Sequence, residues 1–452
     1  MTSRPILDAR RVNSLFAWDH VERSAFRLLS PLNHARVGVG VGIQANFALY
    51  EADATSYFPA FRWAWSLARA HAFRVGGRRM AHAVPAQGAS VMPLIAQTVS
   101  AYIADAPVVD APAAAWVRSR VSIVYDNFLL SGEVEELRHR VEDFEARAAA
   151  HGVRLKPQHP VQGLLTSCGL EFNTLRRTWS LKRSWSEKCI NLLRTTDKAE
   201  VRLGLAVWAM RALGLPVAAV APLSPGRTAS EAYLNALARL ITARPQRKVK
   251  NFKISAVSAK DATPVAVDAS VHGAGVIIDC NAFSRAWERR REAIEQQQAE
   301  WEAALLALRW SAERGLEKIL LMTDNLGVLH ALRSGAPGTV RRCRELCELA
   351  QLKAIPELWL AYVPSASMPA DSLSRDIPQQ PGATEQREDV HLDEIAATWG
   401  RGAVEAEWCA VTVGDDNDEE VNNFLIAAQA SLASEAGDTL QADWAPFARE
   451  RT

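Results

Sequence analysis

The stretch from residue 265 to residue 363 constrains the fold most tightly. Short apolar runs at residues 265–267, 273–278, 318–322 and 358–363 read as strands. Residues 294–314, 326–334 and 339–350 read as helices between them. Strands that alternate with helices in this way indicate an α/β domain. Four acids punctuate the pattern. Asp268 ends the first strand, in Val-Asp-Ala-Ser-Val-His-Gly-Ala-Gly, whose glycines suit a tight return into the next strand. Glu300 lies within the long helix, in Ala-Glu-Trp-Glu-Ala-Ala-Leu. Asp324 follows the third strand in Thr-Asp-Asn, and Asp371 opens a helix in Pro-Ala-Asp-Ser-Leu-Ser-Arg.

Carboxylates at strand ends beside a helix can converge above one edge of a sheet. Gathering like charges is costly unless cations accompany them. Two magnesium ions remove that cost and supply chemistry as well, one activating water and the other stabilising the leaving oxygen of a phosphodiester. Any one of these acids alone would read as an ordinary surface charge. Four at such positions, in this order, do not. Asp279, Glu302 and Asp376 read as solvated neighbours.

Three segments upstream carry a second pattern. Asp53 leads into aromatic residues in Asp53-Ala-Thr-Ser-Tyr57-Phe58-Pro-Ala-Phe61. Val84-Pro85-Ala86-Gln87-Gly88 is a glycine-containing turn whose backbone allows close approach. Val121-Ser-Ile-Val-Tyr125-Asp126-Asn127-Phe128 places an acid at a hairpin tip between apolar runs. Asp53 alone would be a lone acid before a buried aromatic helix. Trp63 and Trp65 read as core. Trp179 and Trp185, interleaved with Arg176, Arg177, Lys182, Arg183 and Lys188, read either as a duplex-stacking surface or as a basic solvated hairpin.

The four acids of the second half resemble the metal-binding carboxylates of the RNase H domain of retroelement polymerases, over about residues 262–376. The Asp-Ser-Leu-Ser-Arg ending is similar to a signature of such elements. The histidine that the family carries before its last aspartate is absent, and Val363-Pro364-Ser365-Ala366-Ser367 stands there. The three upstream segments look like motifs A, B and C of reverse transcriptases. Residues 133–156 resemble the motif D helix and its turn, and Cys168-Gly169-Leu170-Glu171-Phe172 the motif E hairpin that grips the primer; the likeness covers about residues 45–195. The style resembles the tyrosine-recombinase retroelements, DIRS-like or VIPER. Motif C departs from the family by carrying Asn127 as its second residue, where an aspartate is usual. The 52 residues before Asp53 leave little room for fingers, and neither Arg27 nor Arg36 matches a basic fingers residue of the family.

The resemblance implies an α+β polymerase palm (right-hand, reduced fingers, helical thumb or connection) followed by an α/β RNase H-like domain with a mixed sheet. It implies fingers and palm at residues 1–195, thumb, connection and linker at 196–255, the RNase H-like domain at 256–380 and an acidic, flexible tail at 381–452. Asp53 and Asp126 would hold the polymerase magnesium ions. Asp268, Glu300, Asp324 and Asp371 would hold a second pair, with manganese as the alternative ion. Tyr57, Phe58, Gln87, Gly88 and Asn127 would line the nucleotide pocket, Phe58 as the steric gate against a ribose hydroxyl. The partners implied are an RNA template, a DNA primer, an RNA–DNA hybrid and dNTPs. The rival is a decayed or domesticated copy acting as a nucleic-acid-binding scaffold, with or without RNase H activity.

Charge fits either reading. Sixteen acidic and four basic residues from Ile377 to Thr452 give −12, so residues 1–376 carry +13 of the net +1. A basic body suits a polyanionic partner. Six scattered cysteines suit a reducing compartment rather than a disulfide scaffold. Cys343 and Cys347 read as two thiols on one helix face, not as a zinc site. No apolar run is long enough to span a bilayer and the first residues have no signal-peptide core, so an intracellular protein, cytoplasmic or nuclear, is expected.

Overall fold

The computed structural model describes residues 31–55, 57, 73–75, 77–80, 92–107, 113–156, 158–279, 281–352, 355–375, 383–387, 392–413 and 418–433. They divide into two units, residues 1–179 with 253–255, and residues 180–252 with 256–452.

The first unit is built on a three-stranded antiparallel sheet. Helix α1 (Pro31–Gly38) precedes strand β1 (Phe47–Asp53). A small ribbon of β2 (Phe73–Val75) and β3 (Arg78–Met80) follows, then helices α2 (Met92–Ile103) and α3 (Ala113–Ser119). Strands β4 (Val121–Val124) and β5 (Asn127–Glu133) form a hairpin, and β1 pairs with the free edge of β5 to give the order β1-β5-β4. Alternation decides the faces. Ala48, Tyr50, Ala52, Phe128, Leu130, Val121 and Ile123 point to one side and form the core with α4 (Val134–Ala150), which contributes Leu137, Val141, Phe144 and Ala148. Glu51, Asp53, Asn127 and Leu129 therefore share the opposite side. A second hairpin follows, β6 (Leu164–Ser167) and β7 (Leu170–Asn173). Its two-residue turn puts Cys168 at φ +48° and Gly169 at φ +82°, the double left-handed geometry that matches strand twist. Phe172 lies against α1 so closely that a Cβ on Gly38 would meet its ring at 2.2 Å.

The chain passes into the second unit within β8 (Thr178–Leu181). Helices α5 (Arg183–Thr195), α6 (Ala199–Leu213) and α7 (Glu231–Ala243) come first, then β9 (Arg247–Val249). Helix α6 ends at Gly214, which takes φ +63°. The main sheet has seven strands. Strands β10 (Thr263–Ala269), β11 (Gly273–Ile278) and β12 (Asn281–Ala286) run antiparallel in sequence. After helix α8 (Gln296–Glu313), β13 (Lys318–Thr323) joins β10 in parallel. After α9 (Leu326–Ser334) and α10 (Val340–Ala350), β14 (Glu357–Tyr362) joins β13 in parallel. Helix α11 (Ala370–Arg375) crosses β11, β15 (Ala383–Arg387) pairs with β12, and β16 (Val404–Glu405) pairs with β14. The result is an α/β unit, as the strand–helix alternation predicts, with a sheet of both parallel and antiparallel pairs.

Residues 392–413 and 418–433 correct the expectation of a flexible tail. Helix α12 (Leu392–Trp399) buries Leu392 in the core beside Trp359. Trp408 donates its indole N–H to the carbonyl of Leu332 at 2.7 Å, and β17 (Val411–Val413) pairs with β9, so the 196–255 stretch ends in a paired strand and not in a bare linker. Helix α13 (Asp418–Ala433) packs on α7 and α10, with Val421, Phe424, Leu425, Ala428 and Leu432 buried. Those residues recur at helical spacing. The acids at 418–420 fall in the helix's first turn, where the dipole favours them, so they do not signal disorder. Cys343 and Cys347 are both buried on α10, as two core thiols. Among the described residues no helix is long and apolar enough to cross a membrane.

Candidate active site

Asp268, Glu300 and Asp324 come together in the second unit, with one carboxylate oxygen of each within 4.8 Å of the others. Three elements deliver them: the end of β10, the second turn of α8, and the residue after β13. Asp268 and Glu300 are buried, at 4% and 7% exposure, and Asp324 is half-buried. Side chains hold each one in place. Ser374 Oγ donates to Asp268 Oδ2 at 2.6 Å. Gln296, one turn before Glu300 on the same helix, donates to Glu300 Oε1 at 2.8 Å and to the Ala269 carbonyl at 2.6 Å. Ser365 donates to Asp324 Oδ2 at 2.5 Å.

Gly275 explains how Ser374 reaches Asp268. It lies opposite Asp268 in the β10–β11 register. A Cβ there would meet the Ala370 carbonyl oxygen at 2.5 Å and the Leu373 Cβ at 2.7 Å, so only glycine lets α11 lie on the sheet at this point. Asp371, on the same helix, is not among the three converging carboxylates. It pairs with Arg375 at 2.7 Å, while its charge still acts on Asp268.

Burial and mutual repulsion set the electrostatics. Burial pushes the Asp268 carboxyl up to about 6, the Ser374 hydrogen bond opposes this, and the charges of Asp324 and Asp371 add to it. Glu300 rises to about 8, again through burial first and the Asp268 charge second. Carboxyls held this way are poor at staying ionised unless a cation joins them. The donor set is all oxygen, which suits magnesium or manganese.

The first unit carries the other acids. Asp53 stands opposite Asn127 in the β1–β5 register, and Asp126 follows Tyr125 in the β4–β5 turn. Tyr125 has φ +56°, a costly conformation for a bulky residue. Helix α2 holds it there: Gln97 accepts from the Tyr125 N–H at 2.8 Å and donates to the Ile123 carbonyl at 3.0 Å, while Ser100 donates to the Tyr125 carbonyl. Asp53 pairs with the Lys156 ammonium, whose pKa rises through that hydrogen bond. Lys156 arrives because residues 154–156 run antiparallel to 53–55, with backbone bonds from Thr55 N–H to the Arg154 carbonyl and from Lys156 N–H to the Asp53 carbonyl. No cluster of three possible metal ligands forms around Asp53 and Asp126 among the described residues.

Other expectations meet mixed outcomes. Tyr57 is 2% exposed, and its hydroxyl bonds the Ala96 carbonyl and Ser100, so it braces α2 rather than facing a nucleotide. Asn127 is spent on neighbouring side chains: it donates to Glu51 and accepts from Ser167 at 2.8 Å and Cys168 at 3.4 Å. Phe58, Gln87 and Gly88 lie outside the described residues. Trp179 is buried, and Trp185 packs tilted against Trp208 with ring centroids 4.3 Å apart, so neither ring is an open stacking platform. Sequence reasoning missed Gln97, Lys156, Gln296, Ser365 and Ser374. Only Gln296 had a local signal, its four-residue spacing from Glu300.

No protein-family model matches the chain, and no curated protein matches it. Among solved structures it is similar to a foamy viral protease–reverse transcriptase in complex with double-stranded DNA, with a TM-score of 0.40 and 13% identity. That likeness covers 83% of this chain and 64% of the other, so the chain spans less than two thirds of the structure it is compared with. A foamy viral protease–reverse transcriptase bound to an RNA/DNA hybrid is similar with a TM-score of 0.37 and 12% identity, over 76% of this chain and 47% of that one.

Proposed function

We propose that the chain is an RNA-directed DNA polymerase with ribonuclease H activity, the core of a retroelement of DIRS-like or VIPER-like kind. The observation that carries the reading is the convergence of Asp268, Glu300 and Asp324 from the end of β10, the second turn of α8 and the residue after β13. Three carboxylates, two of them buried, repel one another unless they hold a divalent cation, and an all-oxygen set suits phosphodiester chemistry. Together with Asp371 they would hold two magnesium ions, with manganese as substitute. Bound ions there would activate water and stabilise the leaving oxygen of a cut RNA strand. Ser374, Gln296 and Ser365 would keep the three carboxylates aimed. At the first site Asp53 and Asp126 would hold the ions for dNTP addition to a DNA primer on an RNA template. Phe58 as sugar gate and Gln87-Gly88 as pocket wall belong to the same proposal. So does the division into fingers and palm to residue 195, thumb and connection to 255, and RNase H-like domain to 380.

The test is cleavage of end-labelled RNA in an RNA–DNA hybrid by the purified chain with magnesium. Metal-dependent cleavage is the expected result, and none under magnesium or manganese would overturn the reading. A second reading, a nucleic-acid-binding scaffold that retains hybrid cleavage but does not polymerise, is favoured by the Lys156 ammonium on Asp53 and by the uncharged Asn127. Primer extension on an RNA template separates the two.

A further inference from the structure

Asn127 sits where the resemblance places a second carboxylate, yet its surroundings call for an amide. Its Nδ2 donates to Glu51 Oε1, across the β1–β5 pair. Its Oδ1 accepts from Ser167 Oγ at 2.8 Å and from Cys168 Sγ at 3.4 Å, both at the turn of the β6–β7 hairpin. Glu51 can only accept, so the amide nitrogen must face it and the oxygen must face the hairpin. Ser167 is buried, and burial keeps the Cys168 thiol protonated and able to donate. The body of the same hairpin is fixed independently: Phe172 tilts against His34 at 5.6 Å and fills the space over Gly38. At the turn end the Ser167 backbone also meets His34, while the side chains of Ser167 and Cys168 are held by Asn127.

We propose that Asn127 is a positioning residue, a side-chain strap that ties the Ser167–Cys168 turn to the strand pair bearing Asp53 and Asp126, and is not a metal ligand that has been lost. Chemistry separates the two accounts. An aspartate at 127 has no proton to give. It would set a second carboxylate against Glu51, a repulsion that the hairpin donors and the nearby Lys156 charge would have to offset. The negative charge missing from position 127 is present on Glu51, held there by the Asn127 amide. That the strap serves a polymerase rests on the function proposed above. The attachment of the hairpin does not.

The test uses the full chain without metal and compares the parent, Asn127→Asp, and the swap Glu51→Gln with Asn127→Asp, in which a glutamine amide donates to the new carboxylate. Hydrogen exchange of the amides at residues 167–170 and the unfolding midpoint are read. Asn127→Asp should speed exchange at the turn at least about tenfold and lower the midpoint by about 3 °C or more. The swap should recover most of both losses. Parent-like exchange and stability in Asn127→Asp overturns the proposal, and so does a swap no better than the single variant. If Asn127→Asp fails to fold, the swap alone decides: a folded swap supports the strap and an unfolded one overturns it. Primer–template affinity is measured alongside, and should weaken in the single variant and return in the swap. A strap confirmed by exchange in a chain that neither binds nor extends a primer would sink the polymerase reading and leave the strap standing.

Discussion

At the β1–β5 strand pair, Asp53 faces the Lys156 ammonium and Glu51 faces the Asn127 amide. At the end of β10, Asp268, Glu300 and Asp324 face one another, and serines and a glutamine supply the hydrogen bonds. In the first group an ammonium and an amide meet the two acids one to one. The second keeps its repulsion and shows it in two raised carboxyls. Groups of like charge can thus be arranged with compensation from the protein or without it. The second arrangement would gain from a cation what it gives up in stability without one.

The contrast can be broken most decisively at Asp324. Asp324→Asn removes one of three converging oxygens and should cut RNA-strand cleavage by about 100-fold or more, whereas Asp53→Asn should leave it within about twofold. Equal losses in a hybrid-cleavage assay would mean that the two centres are not independent. Next, Glu300→Gln removes repulsion without removing bulk. In metal-free protein at pH 8.5 its unfolding midpoint should rise by about 2–4 °C, and the stabilisation by added magnesium should disappear. A variant less stable than the parent would show that Glu300 is not under charge stress.

The pH dependence follows from the same groups. Asp268 and Glu300 have folded pKa values of about 6 and about 8, above their ordinary 3.8 and 4.5. Between those limits the folded protein keeps protons that the unfolded chain has released, so stability falls as pH rises. Denaturation in the presence of a chelator should therefore show lower stability at pH 8.5 than at pH 5, and excess magnesium should flatten the slope. A slope of opposite sign would contradict the burial argument. The smallest effect belongs to Lys156→Gln. An exposed pair contributes little to stability, so the midpoint should move by about 1 °C or less. The magnesium needed for half-maximal primer extension should fall by about threefold, because a competing cation is gone. An unchanged requirement would place Lys156 outside the metal's field.

The second unit was the more legible of the two. Asn325 and Thr339 cap their helices with side-chain oxygens, and Gly335 ends one at φ +63°, so the ends of α9 and the start of α10 were written locally. Strand β12 was not seen: its six residues hold one large apolar side chain, Phe283, and it follows Asp279 in a left-handed turn that usually advertises itself with glycine or asparagine. Helix α13 was hidden within the acidic stretch read as a tail, because acids at its start masked an apolar stripe whose partners lie on α7 and α10. In the first unit the acids were visible and their partners were not. Gln97 reaches Tyr125 across 28 residues, and Asn127 reaches Glu51 across 76. No local pattern records such pairings, since only the folded sheet brings them together.

The pairing of Asp53 with Asn127 has a consequence for which insertions the first unit can survive. A one-residue slip of β1 along β5 would turn Ala48, Tyr50 and Ala52 out of the core, so packing alone forbids it. A slip of two residues would preserve every inward and outward assignment, yet carry Asp53 about 7 Å along the strand. The inside–outside pattern cannot detect that error, and the core would register it only by moving Tyr50 into the place of Ala48 or Ala52. The discrimination falls to polar pairs fixed to particular rungs: the 154–156 segment bonded to 53–55, and Glu51 bonded to Asn127. In-frame insertions of two residues in β1 should therefore be a distinct class of lesion, giving a soluble, folded chain with a silent first site.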